Sequence, residues 1–429
     1  MAGRLRRYFL LSLVLLLPGM VLRAQQETNP MEEYHRSSIC GMLIQHSGQK
    51  YVNDVRKAYL EMPPSDKYNE HNIKGRVVET PTKHFEDLRV IEDYLYKKQV
   101  GKQLVEKWFS RNPVDGSFDV DLIAERGLYD ASAFKEELSG MLKRGSALLM
   151  DAGEDLISHT FVLVYDIDYI DKEANAQKAA AFFVGLAVAA GTLAGMQASN
   201  PDKKPEDRRK AELAARSLEG VALLGAAISS QIAGFTVRIR AHLFQLCWDQ
   251  ETADWFYENC YFGREEQDPE KKRLWESLPD DAFTLKYLGS HSAKSAKTVL
   301  RGVESPHEVI QKVIYRAMDN SRAKLAKRYN VFRVRVPLMS VEGKKVKAPI
   351  GLKEGVRPGA RFEVLERVLG SDGTTRYVRR GIIRAIGNEI WDNRFMSVEE
   401  EAANAELGYT SFRIVRGNGI VPGMLIREL

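Results

Sequence analysis

Cysteine is scarce in this sequence. Three cysteines, Cys40, Cys247 and Cys260, occur in 429 residues, which is too few for a disulfide framework, and their spacing is too irregular for a metal knuckle. A single bridge from Cys247 to Cys260, with the third thiol left over, is compatible with an oxidising compartment. The sequence therefore predicts no metal site and leaves one disulfide open.

Catalytic motifs are absent as well. The eight histidines form no HExxH pair, and there is no P-loop, no GxSxG elbow and no dinucleotide fingerprint after a predicted strand. Asp166, Asp168 and Asp171 lie at the end of a predicted strand, where we interpret them as a solvated edge rather than as metal ligands. These absences predict no cofactor and a protein that is not an enzyme. An exported hydrolase, with an active site assembled from residues distant in sequence, is the alternative.

A strong net charge is also lacking once the N-terminal segment (1–24) is set aside. Removing that segment takes away four arginines and leaves 59 basic against 58 acidic residues. A net charge so close to zero gives no reason to expect nucleic acid as a partner. The charge is unevenly placed, because residues 321–429 contain 21 Lys plus Arg against 12 Asp plus Glu. We therefore expect a basic C-terminal domain.

The N-terminal segment (1–24) has the three parts of a secretory signal peptide. Three arginines precede the apolar run YFLLSLVLLL, and Ala24 provides a small residue for cleavage. We expect the mature chain to begin at Gln25 and the protein to be exported, either to the periplasm or to an outer-membrane-associated location. An uncleaved membrane anchor is the alternative, although about ten apolar residues are short for a span of about 20.

Several runs carry clear local signals. KKQVGKQLVEKWFS has its apolar residues at helical spacing, whereas SSICGMLIQHSG is a short apolar run that can form a strand. HTFVLVYDIDYI and FTVRIRAHLFQLCW are rich in β-branched and aromatic residues and predict two further strands. DQETADWFYENCYFG predicts a helix from Asp249 to Gly263. Ser305 and Glu308 predict a capping box at the start of another helix.

Taken together, these patterns predict an α+β fold. From Val331 onward the apolar residues alternate in short runs separated by Gly, Pro and Asp turns, which predicts a small all-β barrel, SH3-like or similar. The predicted organisation is a signal peptide (1–24), a mainly helical region (25–157), an α/β region (158–304) with an inserted Ala/Gly-rich helical hairpin (174–234), a connecting helix (305–330) and the barrel (331–429).

The uncharged stretch AAAFFVGLAVAAGTLAGMQ (179–197) is unusual in a chain of which 28% is charged. It is long enough for a membrane helix, but Ala and Gly gain little on entering lipid, and the second arm of the hairpin, which extends to Val237, contains polar residues. Small residues instead allow helices to approach closely. We therefore predict that the hairpin packs internally or on a copy of itself; membrane insertion and a partly ordered insertion are the alternatives. The residues predicted to make the contacts are Ala187, Gly191, Gly195, Gly220 and Gly225.

Arginines of the C-terminal domain form the best candidate binding surface. Their positive charge would attract anionic polymers, lipid head groups or an acidic partner. The alternative is that they keep exposed strand faces soluble and discourage edge pairing. The candidate residues are Arg333, Arg335, Arg376, Arg379, Arg380 and Arg384.

Several segments resemble a known group of sequences. DLISHTFVLVYDIDYIDKE, QLCWDQETADWFYENCY and IGLKEGVRPGARFEVLERV are similar to segments of an uncharacterised family of exported envelope proteins of Gram-negative gut and oral anaerobes. The segment GLKEGVRPGARFEV also resembles the small barrel of flagellar assembly protein T. The resemblance implies localisation and architecture but no activity. The partners expected are envelope proteins or a membrane surface, with a homo-oligomer as a further possibility.

Overall fold

The computed structural model shows an α+β architecture, as predicted. The predicted signal peptide lies outside the described residues, together with part of the N-terminal region and the residues that join the two arms of the hairpin. The described residues are 37–82, 84–123, 125–126, 153–199, 204–369 and 375–429.

A six-stranded mixed sheet forms the centre of the larger part of the chain. The strand order is β2-β1-β4-β5-β6, and β3 pairs with the later half of β1. Strand β1 is parallel to β2, β3 and β4, whereas β5 is antiparallel to both of its neighbours, β4 and β6. The strands are β1 (Ser38–His46), β2 (Asn69–Glu70), β3 (Val77–Thr80), β4 (Thr160–Asp171), β5 (Ile232–Leu246) and β6 (Leu285–Leu300).

Helices cover both faces of this sheet. On one face, Met42, Val162 and Phe244 pack against the helices Leu88–Lys97, Val100–Trp108, Gln250–Asn259 and Pro269–Glu276. On the opposite face, Leu43 and Leu163 pack against the helices Val52–Leu60 and Pro306–Arg328, because successive side chains of a strand point to opposite sides. The helices are α1 (Val52–Leu60), α2 (Leu88–Lys97), α3 (Val100–Trp108), α4 (Lys172–Ala198), α5 (Pro205–Ser230), α6 (Gln250–Asn259), α7 (Pro269–Glu276) and α8 (Pro306–Arg328).

The elements with strong local signals lie where the sequence predicts them. The runs at 159–170 and 235–248 form β4 and β5, and SICGMLIQH forms β1. The capping box of α8 is present, because Ser305 Oγ accepts from the N–H of Glu308 at 3.2 Å and Glu308 Oε2 accepts from the N–H of Ser305 at 2.8 Å. Helix α6 is capped by Asp249 as predicted but ends at Asn259, before Gly263.

The regions 25–157 and 158–304 share one sheet. Strands β1, β2 and β3 come from the first region, and β1 pairs directly with β4 of the second. Parallel pairing joins strands that are distant in sequence, so no local pattern announces it. The predicted connecting helix, α8, also belongs to this body, because its apolar face packs on the sheet.

The C-terminal strands form a second, curled sheet with the shape of a half-barrel. Its strand order is β7-β13-β10-β11-β12-β9-β8, and its core includes Val346, Phe362, Val364, Ile383 and Phe412. The strands are β7 (Val336–Pro337), β8 (Ser340–Glu342), β9 (Lys345–Ala348), β10 (Arg361–Leu369), β11 (Thr375–Ala385), β12 (Thr410–Gly417) and β13 (Leu425–Glu428).

Helix α8 joins the half-barrel to the body through charged contacts. Lys312 and Arg316 both form ion pairs with Glu400. Near the end of the helix, Lys327 Nζ lies 2.8 Å from Glu428 Oε1 of β13. One helix therefore packs on the central sheet and holds the C-terminal domain.

Candidate functional site

The helical hairpin α4–α5 is inserted between two neighbouring strands of the central sheet. Helix α4 begins directly after β4, where Asp171 Oδ1 accepts from the N–H groups of Glu173 and Ala174 at 2.9 and 3.4 Å. Helix α5 ends at Ser230, and β5 begins at Ile232. The two helices pack mainly on each other, and in the apolar stretch of each only 17% and 6% of the residues are buried. The hairpin is therefore an appendage of the body.

Alanines form the contact between the two helices. Ala187, Ala190 and Ala194 of α4 are buried, as are Ala222 and Ala226 of α5. A small side chain at these positions lets the two backbones approach closely.

The five residues predicted to pack in the hairpin have different surroundings. Ala187 belongs to the contact, and a Cβ on Gly225 would lie 3.1 Å from the Phe183 ring. Gly191 lies beside the Glu219 side chain, and a Cβ on Gly191 would lie 3.8 Å from the Glu219 carboxylate. A Cβ on Gly195 or Gly220 would meet no described atom within 4 Å. Within a single hairpin, the Gly191–Gly195 pair therefore does not make the close helix contact that its spacing predicts.

Large apolar side chains cover the outside of the hairpin. Phe182 and Val221 are each 69% exposed, and Val188 is 64% exposed. By length and composition alone, both helices are long and apolar enough to cross a membrane. The exposed set is Phe182, Val184, Leu186, Val188, Leu193 and Met196 on α4, and Leu213, Leu218, Val221, Leu223, Leu224 and Ile228 on α5.

Charge is distributed differently along the two helices. Helix α4 has no charged residue from Ala179 to Ser199, whereas α5 has eight between Glu206 and Glu219. The antiparallel packing places Glu219 beside Gly191, so the charged half of α5 runs alongside the uncharged second half of α4. Both helices lack charge together only near the base, where residues 220–230 of α5 extend about 16 Å. That length is about half of the ~30 Å hydrocarbon core of a bilayer.

The predicted arginine surface is partly occupied by internal contacts. Arg333 donates to the carbonyl oxygens of Glu428 and Lys327 at 2.8 and 3.0 Å. Arg380 forms an ion pair with Glu366, and Arg384 Nε donates to the carbonyl oxygen of Gly359 at 3.3 Å.

The remaining arginines lie on or near the same sheet. The guanidinium of Arg335 lies over the Tyr377 ring, 4.6 Å from its centroid. Arg379 is exposed on β11. Arg376 also lies on β11, but its side chain is not among those that the structure describes. Arg333 and Arg335 precede the two-residue strand β7 and follow a 3-10 turn at Asn330–Phe332, so neither lies within a strand.

All three cysteines are free thiols in the structure, so the bridge between Cys247 and Cys260 that the sequence left open is not present. Cys260 directly follows α6 and lies inside the aromatic core, and Cys247 is half-buried just after β5. Burial raises the pKa of the Cys40 and Cys260 thiols to about 11, so neither is a reactive thiolate at neutral pH.

A buried polar cluster lies where the parallel strands β1, β3 and β4 meet the loop before α2. His46 Nε2 lies 2.6 Å from Asp166 Oδ1, and His46 Nδ1 lies 3.0 Å from the carbonyl oxygen of Thr82. The N–H of Glu86 donates to Asp166 Oδ2 at 2.6 Å. Burial alone would lower the pKa of His46, but the hydrogen bond to Asp166 and the nearby negative charges raise it.

This cluster corrects the interpretation of Asp166 as part of a solvated edge. Asp166 is fully buried, whereas Asp168 forms an ion pair with Arg238 and Asp171 caps α4. The available signal was that His46 and Asp166 both follow apolar strand runs, and the carboxyl ends of parallel strands meet at one edge of a sheet. That signal identifies the cluster only when β1 and β4 are known to be neighbours in the sheet.

Comparison with known proteins adds no family to these observations. No protein-family model matches the chain, and no curated protein matches it. Among the described residues there is also no group of three or more His, Cys, Asp or Glu side chains arranged to hold a metal ion.

Proposed function

We propose that this protein is an exported, non-enzymatic component of the cell envelope that assembles with copies of itself through the hairpin α4–α5. The observation that supports this proposal is the exposed apolar surface of a hairpin that has little contact with its own body. Isolated apolar side chains are normal on protein surfaces, but a continuous set on one element is typical of an interaction site. The resemblance to exported envelope proteins supports the location.

The charge distribution favours a second copy over a lipid bilayer. A helix that is apolar on all sides suits the centre of a bundle, and α4 carries no charge from Ala179 to Ser199. Helix α5 suits the outside of the same bundle, because its charged half can face solvent while Ala222 and Ala226 face α4. A membrane span would instead bury Glu212, Arg216 and Glu219, which is costly.

The energy available is adequate for association. The six exposed apolar side chains of α4 are between 36% and 69% exposed. Fully burying a side chain of this size contributes about 1.5–3 kcal/mol. Covering the exposed half of six such side chains therefore contributes on the order of 6 kcal/mol for each hairpin.

The test is the molecular mass of the mature protein in solution, measured by light scattering after size exclusion. We expect an oligomer, and we expect the double variant Val188→Glu, Leu193→Glu to be monomeric, because the two positions flank the Ala187 contact on opposite sides of α4. The matched control is Leu213→Glu in the charged half of α5, a residue that is 61% exposed. This control should remain oligomeric.

Sedimentation with phosphatidylethanolamine/phosphatidylglycerol vesicles distinguishes membrane contact from self-association. A monomeric wild-type protein that sediments with vesicles, and a double variant that does not, would show that the hairpin is a membrane element. A wild-type protein that is monomeric and stays in the supernatant would contradict both forms of the proposal.

We further propose that the curled C-terminal sheet acts as a small SH3-like barrel for binding an acidic or anionic partner. Arg379, exposed on β11, is the arginine of the predicted set best placed for it. The alternative of a hydrolase with a dispersed site would need an accessible base. The His46–Asp166 pair does not provide one, because both side chains are fully enclosed and both ring nitrogens are engaged.

A further inference from the structure

A cavity of about 330 Å³ lies between helix α2 and the edge of the central sheet. Its walls are mainly apolar: Met42, Ile44 and Val78 come from the strands, and Ile91 and Leu95 come from α2. Small-molecule sites are typically apolar clefts of about 300–1,000 Å³ with a few polar groups that orient the ligand. The cavity has the size and lining of such a site.

One buried carboxylate forms part of the cavity wall. Glu86 is 9% exposed, and its Oε1 accepts from the hydroxyls of Thr80 and Thr82, the latter at 2.7 Å. Among the described residues, no lysine or arginine forms an ion pair with Glu86, and its Oε2 accepts no hydrogen bond. A buried carboxylate without a cationic partner is unfavourable unless a further donor satisfies it.

Among the described residues, the neighbouring charges do not supply that donor. The imidazole of His46 is bonded to Asp166 and to the carbonyl oxygen of Thr82, so even its protonated form provides one positive charge for two buried carboxylates. At the mouth, Arg56 Nη1 lies 3.2 Å from Glu79 Oε1, whereas the exposed Asp93 forms no described ion pair. Lys97 is the single basic residue of the described lining and is exposed.

We propose that this cavity binds a small molecule with an apolar body and one protonated amine. The apolar body fills the space between α2 and the sheet. The ammonium group donates to the free oxygen of Glu86, and Asp93 adds negative charge at the entrance. This site lies on the body of the protein and does not depend on the role of the hairpin.

Isothermal titration of the full mature protein with three matched probes tests the proposal. The probes are 2-phenylethylamine, 2-phenylethanol and 3-phenylpropanoate, which share an apolar body and differ in the charge of the head group. A hydrogen bond between charged groups contributes about 1.5–3 kcal/mol. We therefore expect the amine to bind at least about tenfold more tightly than the alcohol, and the carboxylate to bind more weakly than either.

Two variants and one control locate the effect. Glu86→Gln keeps an acceptor for the two threonine hydroxyls but removes the charge, so the amine should lose its tenfold advantage over the alcohol. Val78→Phe places a larger side chain at the cavity wall and should weaken the amine and the alcohol together. Asp87→Asn removes a neighbouring exposed carboxylate and should leave all three affinities unchanged.

The proposal would be overturned by any of three results. These are equal affinities for the three probes, an amine preference that survives Glu86→Gln, and no measurable binding of the amine. If Glu86→Gln does not fold, the probe series on the wild-type protein and the Val78→Phe variant still decide the outcome.

Discussion

His242 should make the protein sensitive to acid. The residue lies on β5 between Val164 of β4 and Ser290 of β6, and it is 3% exposed. Neither ring nitrogen has a hydrogen-bond partner among the described residues, and the nearest aromatic ring, that of Tyr287, lies 6.1 Å away by centroid. Burial lowers the pKa of His242 to about 4, against the opposing effect of Asp166 and with a small further contribution from Arg240.

Two energies follow from this geometry. A buried polar group without a partner costs about 1–3 kcal/mol. The gap between a pKa of about 4 and the ordinary value of about 6.5 corresponds to about 3 kcal/mol. The unfolded chain takes up a proton in this range and the folded protein does not, so the free energy of unfolding falls as the pH drops from about 6.5 towards 4.

The assay is urea unfolding of the wild type, His242→Leu and His242→Asn between pH 7 and pH 4. We expect His242→Leu to be more stable than the wild type by about 1–3 kcal/mol at pH 7, and by about 3 kcal/mol more near pH 4. His242→Asn keeps a buried polar group but cannot take up a proton, so it should lose only the dependence on pH. Parallel pH profiles for the wild type and His242→Leu would refute the reasoning.

Two further predictions concern the C-terminal junction and the thiols. Glu400→Gln should lower the free energy of unfolding by about 1–3 kcal/mol, because it leaves the buried Lys312 without its carboxylate while the partial exposure of Glu400 to solvent limits the loss. The control is Glu399→Gln at a neighbouring exposed position, and equal stabilities of the wild type and Glu400→Gln would contradict the predicted contact. Alkylation should modify Cys247 in the folded protein, and Cys40 and Cys260 only after unfolding, as read by mass spectrometry. Detection of a peptide in which a disulfide joins Cys247 to Cys260 would contradict this prediction.

Local signals predicted much of the secondary structure. The runs that form β4 and β5 are long and rich in β-branched residues, and the capping box of α8 is defined by two residues three positions apart. In α3, Leu104, Val105 and Trp108 recur at helical spacing, and all three are buried. Each of these features depends on neighbours within a few residues, so the sequence alone was sufficient.

Contacts between distant segments were not predictable in this way. The pairing of β1 with β4 joins strands that are far apart in the chain, and it alone brings His46 to Asp166. The cavity near Glu86 depends on the same pairing and on the position of α2. In the hairpin, small residues predicted close packing, but only the antiparallel register shows that alanines rather than Gly195 and Gly220 make the contact.

The hairpin leaves and re-enters the sheet at paired residues of β4 and β5, so the length of the hairpin can change without affecting the body. Asp171 and Phe235 are paired across β4 and β5, so the whole segment between them forms one closed loop. Closing a disordered loop of that length costs about 4 kcal/mol of chain entropy. This cost grows only with the logarithm of the loop length, so a longer loop costs little more. Whole helical turns can therefore be added to or removed from α4 and α5 together without altering the register of the strands. Hairpin length would then set the reach of the exposed apolar surface from the body, and this distance can vary while the fold that carries it stays the same.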